Sequence, residues 1–351
     1  MSENHENARK GRGCGFGCAV VIGLFIGLGL LVAALLAGGL GLVHLPQDGR
    51  LGALFHRHEA AADMGEDECP DMVETWSCGQ GEVKVVRIPV EGMIMLGESS
   101  WYAGNANTVL RSIRRATHDP EVEGLLLEIN SGGGGITDSD IIYKALLDFK
   151  KEQDGRVVVA VMGDVAASGA YYIALAADHI LAHPTTLTGS IGVIMQSYNV
   201  KELAAKLGVQ DVTIKSGANK DLLNPFQEVK PEQKEILQKV ISSMHERFVS
   251  LVAQHRKLPK ETVAPLADGR VFLADEALQH KLIDGIGYNE DAQDKLAELL
   301  DADGVKVFRY DEQVTLMDLF ASRPGIGLSA ELGRLMHAGA NDARLMFKWA
   351  W

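Results

Sequence analysis

Three regimes of hydrophobic and polar patterning follow one another along this chain. Residues 16–43 form an unbroken apolar run of 28 residues without Asp, Glu, Lys or Arg. Residues 44–82 sustain no period and carry the acidic patch Glu66-Asp67-Glu68, so they read as a juxtamembrane linker. From residue 83 onward, short β-branched runs alternate with longer helical patterns. Residues 84–90 (KVVRIPV), 122–129 (VEGLLLEI) and 156–162 (RVVVAVM) predict strands, and residues 106–117, 138–150 and 168–177 predict helices. Residues 232–254 predict a long charge-laced helix, 274–280 a shorter one and 305–310 a last strand. Such alternation implies parallel strands joined by crossover helices, an α/β domain over residues 83–325. Residues 326–351 remain as a C-terminal tail, amphipathic from Leu328 to Trp351 and closing on Lys348-Trp349-Ala350-Trp351. No repeat at solenoid periods is visible.

The apolar run is long enough for a bilayer, whose hydrocarbon core takes a helix of about 20 residues. Arg9, Lys10 and Arg12 precede it, which puts residues 1–15 in the cytoplasm and everything after the span outside. A cleaved signal peptide, framed by small residues such as Ala34 and Ala37, would have an apolar core of only about 7–15 residues. The expectation is therefore an uncleaved, single-pass anchor in the cytoplasmic (inner) membrane. Gly23 and Gly27 form a small-residue pair that would let two such anchors approach closely.

Charge sharpens this picture. The chain has 34 Lys and Arg against 47 Asp and Glu, a formal net charge of −13. Removing the tail residues makes the external part more acidic still, so nucleic acid is not an expected partner. Four cysteines are too few for a disulfide scaffold. Cys69 and Cys78 would lie in an oxidising space and could close a short loop, whereas Cys14 and Cys18 read as small apolar residues at the membrane edge. Neither pair has a histidine at metal spacing and no His-Glu-x-x-His occurs, so no metal is expected.

Candidate chemistry concentrates at strand ends. Residues 125–129 run into Asn130-Ser131-Gly132-Gly133-Gly134-Gly135-Ile136, where bare backbone N–H groups could hold a phosphate or a transient oxyanion, or serve only as a turn. No Gly-Lys-Ser/Thr follows, which excludes a P-loop. The third strand leads to Asp164-Val165-Ala166-Ala167-Ser168-Gly169-Ala170. Ser168 there is either a plain N-cap or a nucleophile whose developing charge faces a helix start. His179 and His183 are the nearest histidines in sequence but have no evident carboxylate orienter, while Ser216-Gly217-Ala218-Asn219-Lys220-Asp221 offers a lysine. A free lysine is almost wholly protonated near neutrality, with a pKa of about 10.4. Burial favours the neutral amine and can make it a general base.

At this point the chain resembles the bacterial signal peptide peptidase A family. The resemblance rests on residues 167–172 (ASGAYY), 189–193 (GSIGV), Ser216-Gly217-x-x-Lys220-Asp221 with Pro225-Phe226 behind it, and residues 268–272 (DGRVF) followed by Ala277 and Leu282-Ile283-Asp284. It covers roughly residues 83–290 together with the single anchor. The resemblance implies a membrane-anchored Ser-Lys peptidase of Clp/crotonase-like ββα fold that needs no cofactor. It implies Ser168 as nucleophile, Lys220 as general base and Ser190 as the group orienting the lysine. It further implies an oxyanion hole from Gly134 or Gly135 together with Gly169. Substrates would be hydrophobic peptides, remnant signal peptides among them. A half-length copy holding both motifs implies a homo-oligomeric ring in which Lys220 comes from a neighbour. Two departures stand out: Gly132 occupies the family's proline position, and Leu223-Asn224 replaces Gly-Ser before Pro225-Phe226. Rival readings are a related peptidase dedicated to one membrane protein, a crotonase-like acyl-CoA enzyme polarising a thioester at the glycine turn, and a silent scaffold. An external location and a Ser-Lys pair argue against the second, and the intact dyad against the third.

Overall fold

The computed structural model describes residues 72–97 and 105–312, together with the backbone of residues 346–348. The apolar span at 16–43, Cys69 and most of the C-terminal tail lie outside the described residues. No helix among the described residues is long and apolar enough to cross a membrane.

A nine-stranded sheet forms the frame. Its strands are β1 (Met72–Cys78), β2 (Val83–Glu91), β3 (Val122–Ser131), β5 (Val157–Ala167), β6 (His179–Ala182), β7 (Leu187–Gly189), β8 (Val271–Leu273), β9 (Gly285–Ile286) and β10 (Val305–Glu312). The main path runs β1-β10-β2-β3-β5-β6-β9, with β7 branching from β5 and β8 added to β7. All neighbours from β10 to β9 are parallel, as the strand–helix alternation predicts, whereas β1 on β10 and β8 on β7 are antiparallel. A separate short strand, β4 (Gly133–Gly135), pairs with β11 (Met346–Lys348). The helices are α1 (Ala106–Thr117), α2 (Ile136–Glu152), α3 (Gly169–Ala174), α4 (Lys201–Lys206), α5 (Pro231–His255), α6 (Lys260–Val263), α7 (Ala274–Gln279) and α8 (Asn289–Leu299).

Alternation along each strand sends side chains to opposite sheet faces, and both faces are covered. Val86, Ile88, Leu125, Leu127 and Ile129 enter the larger core with residues of α1, α2, α3 and α5. Val85, Leu126, Val159 and Val161 point the other way and pack against Ala292 and Leu296 of α8. Two-sided burial explains why the central strands read as continuous apolar runs. Strand β5 serves two neighbours in turn. Its residues Val159 to Met162 pair with β6, and Val165 to Ala167 pair with β7. This fork carries the carboxyl end of β5 beyond the main ladder.

Two elements show how the structure departs from the sequence-based expectation. Residues 72–78, expected within the linker, form an edge strand because they pair antiparallel with β10 from the far end of the domain. The helix expected from residue 168 begins at Gly169, with Ser168 outside helical geometry.

Candidate active site

Strand β5 turns into α3 at a single residue. The Ser168 N–H donates to the Gly189 carbonyl at 2.8 Å, continuing the β5–β7 ladder, while its own carbonyl already accepts the Tyr172 N–H at 2.9 Å. Belonging to a ladder on one side and a helix on the other forces φ to 57° and ψ to −118°. Such a conformation costs a non-glycine residue about 1–3 kcal/mol and is tolerated where the surroundings impose it. Ser168 is 1% exposed, and its Oγ makes no hydrogen bond with any described residue.

Ser190 follows by register. Ala167 pairs with Gly189 across β5 and β7, so Ser168 and Ser190 leave the ends of adjacent parallel strands side by side. Ser190 also has positive φ, 51°, and its N–H is held by the Arg270 carbonyl at 2.8 Å. Residues 268–272 thus have a physical role: the Arg270 carbonyl fixes Ser190, and Phe272 fills the space beside Gly189. The Arg270 guanidinium in turn holds the Asp268 carboxyl down to about 2 and braces this loop.

The glycine turn is aimed by Ile94. The Ile94 N–H donates to the Gly133 carbonyl at 3.0 Å, and the Gly135 N–H donates to the Ile94 carbonyl at 2.8 Å. Across a trans peptide the next N–H points opposite to the preceding carbonyl, so the Gly134 N–H faces away from Ile94. The Gly134 backbone also lies close to α3: a Cβ placed on Gly169 would lie 3.1 Å from the Gly134 nitrogen and 2.5 Å from the Ser139 Oγ. The N–H of Gly135, expected as an alternative oxyanion donor, is engaged by the Ile94 carbonyl. Gly134 and Gly169 remain, with their backbones packed together beside Ser168. Ser131 completes the brace by donating to the Gly92 carbonyl at 2.5 Å and accepting the Gly133 N–H at 3.1 Å. The sequence reading missed Ile94, Ser131 and Ser139. A serine directly before a glycine run was the one available signal among them.

The outer edge of β4 carries β11. Met346–Lys348 runs antiparallel along it, with Phe347 opposite Gly134. An extended main chain therefore fits the edge towards which the Gly134 N–H points.

No hydrogen bond or ion pair among the described residues links Lys220 to Ser168. This lysine lies in the exposed loop before α5, and its amine meets no partner among the described residues. The neighbouring Lys215 instead bonds Asp221 at 2.6 Å. Leu223, standing where the resemblance favours glycine, has φ 60°. A left-handed backbone at this position accounts for that glycine preference physically. Gly132, in place of proline, has open space around it.

A profile of Peptidase family S49 matches residues 150–303. A relative from Enterococcus faecium named signal peptide peptidase SppA is 38% identical over 246 residues, covering 69% of this chain and 71% of that one. A protein of Synechocystis sp. named as a protease is 39% identical over 224 residues, 64% of this chain and 77% of its own length. The chain belongs to peptidase family S49. It is also 33% identical over 264 residues to Protease 4 of Haemophilus influenzae, but these span only 42% of that longer protein. Membership makes this chain a peptidase and gives the S49 domain its mixed α/β sheet.

One prediction for this S49 site separates its glycines. A methyl on Gly134 would sit 2.0 Å from the Ile94 carbonyl oxygen, so Gly134→Ala must displace the strand that aims the donor. If the Gly134 N–H serves as an oxyanion donor, its loss should lower kcat by about 10²–10³. Gly132→Ala, with nothing near its added methyl, should stay within a few-fold of the parent in the same peptide-cleavage assay.

Proposed function

We propose that this chain is a membrane-anchored serine endopeptidase that cuts hydrophobic peptides, remnant signal peptides among them, outside the cytoplasmic membrane. The observation that carries this reading is the strained, buried Ser168 at the β5–α3 turn, with the Gly134 and Gly169 backbones packed together beside it. Those are the nucleophile and the oxyanion donors that acyl transfer needs. A peptide would lie along β4 as an antiparallel strand, as β11 does. Ser168 Oγ attacks the scissile carbonyl, Lys220 takes the proton and returns it to the leaving amine, and water then hydrolyses the ester. Ser190, beside Ser168, would orient the incoming lysine amine.

Lys220 would come from a neighbouring subunit. Two features support this. The Lys220 amine is exposed and unpartnered among the described residues of its own chain, and residues 194–230 expose a series of large apolar side chains. Tyr198 is 74% exposed, Leu207 71%, Val212 83% and Ile214 97%, more apolar surface than a solvated arm requires. A ring of identical chains would bury them and place each arm on the next serine. The anchors at residues 16–43 would then gather on one face and hold the interior towards the membrane.

The test mixes Ser168→Ala and Lys220→Ala subunits, each inactive alone, under conditions that allow exchange. Shared sites should restore part of the activity, since some pair an intact serine with an intact lysine. Mixed assemblies that form yet stay inactive would show that both residues act within one chain.

A further inference from the structure

Three helices meet one turn below the candidate oxyanion hole. Helix α2 starts where the glycine strand ends, α3 starts at Ser168, and α5 returns the Lys220-bearing segment to the body. Asp140 lies just over one turn into α2, and Tyr172 one turn into α3. Arg247 sits on α5 immediately before the buried stretch that begins at Phe248. The Tyr172 hydroxyl donates to Asp140 Oδ1 at 2.5 Å, and Arg247 Nη2 donates to the same oxygen at 2.6 Å. Arg247 Nε also donates to the Tyr172 hydroxyl at 3.1 Å, closing a triangle over the three helices.

Stability does not explain this triangle. The side chains of Asp140 and Arg247 are 39% and 57% exposed, and ion pairs facing solvent contribute little to folding. Cohesion of the helices comes from the rings: Tyr172 packs against Tyr143 at 5.3 Å and Phe248 at 5.1 Å between centroids. Apolar packing resists separation but specifies spacing loosely, whereas hydrogen bonds of fixed length set it to a fraction of an ångström. The spacing in question is that between the starts of α2 and α3, and hence between the Gly134 and Gly169 amides. Burial and the Asp140 carboxylate both push the Tyr172 phenol pKa upward, so it stays a donor throughout the working pH range.

We propose that Asp140, tied to Tyr172 and Arg247, is a positioning residue that fixes the separation of the two oxyanion amides at Ser168. The inference rests on the serine-peptidase reading above. Its consequence is selective. Ground-state binding of an extended peptide along β4 tolerates a small shift of α3, but stabilisation of the oxyanion does not, since a misplacement of about 1 Å can cost up to 10²-fold in rate.

Tyr172→Phe keeps the ring and removes only the hydroxyl, and Asp140→Asn keeps the shape and removes the charge. In the full-length protein, each should lower kcat on a fluorogenic hydrophobic peptide about 10-fold, with KM within about twofold. The rate of Ser168 labelling by a fluorophosphonate should fall in parallel, because that reagent uses the same amides. The double variant should be no slower than the slower single one, since either change alone opens the triangle. Thermal midpoints should stay within a few degrees of the parent. Equal labelling rates for Tyr172→Phe and the parent would overturn the positioning role while leaving the peptidase reading intact. So would losses that multiply in the double variant, or a kcat that falls only as the folded fraction does. Failure of the parent itself to label at Ser168 would sink the peptidase reading, and this inference with it.

Discussion

Ser168→Ala is expected to remove peptidase activity, by roughly 10⁴- to 10⁶-fold, without unfolding the protein. On the proposed mechanism this hydroxyl forms the covalent intermediate, so its loss removes the whole acyl-transfer route. Its contribution to folding is small by comparison, because the Ser168 Oγ makes no hydrogen bond to any described residue and the backbone bonds to Gly189 and Tyr172 survive the change. Cleavage of a fluorogenic hydrophobic peptide and a thermal melt by circular dichroism, run on the same preparation, check both halves. Appreciable turnover by the folded variant would remove Ser168 from the nucleophile position.

Lys220→Ala should be nearly as damaging, and the informative comparison is with Lys215→Ala. The two lysines lie five residues apart on one loop, but Lys215 is already held by Asp221 at 2.6 Å. Breaking that pair should alter activity by no more than a few-fold, whereas removing Lys220 would, on the proposed mechanism, delete the general base. Full activity in Lys220→Ala, with Lys215 the sensitive position, would reverse the assignment. A related peptidase dedicated to one membrane protein would pass both tests, and would be told apart by which peptides accumulate when Ser168 is lost.

Legibility in the sequence followed the range over which each feature is determined. Residues 122–129 were readable as a strand because two-sided burial writes itself into consecutive apolar residues. The helix at Pro231–His255 was readable because its period persists over several turns. Ser168 stood out through the small residues around it, but its positive φ did not, since that conformation is imposed by the Gly189 carbonyl. The directions of the Gly134 and Gly135 amides were closed to sequence reasoning for the same reason: Ile94, some forty residues upstream, takes the Gly135 N–H and leaves that of Gly134 on the opposite edge. The edge strand at Met72–Cys78 was lost in an apparent linker because its partner lies more than two hundred residues away. The segment at 16–43, expected to be a membrane span, lies outside the described residues.

The three glycines of β4 have a consequence for what can be cut. Having no side chains, they read only main chain, and a main chain can pair with them only where it has abandoned its own hydrogen bonds. A stably folded protein, with about 5–15 kcal/mol in favour of its native state, presents such a segment by global unfolding in only about one molecule in 10⁴ to 10¹¹. A short hydrophobic peptide has no comparable barrier. Discrimination between debris and working proteins would then reside in the thermodynamics of the substrate rather than in any pocket of the enzyme.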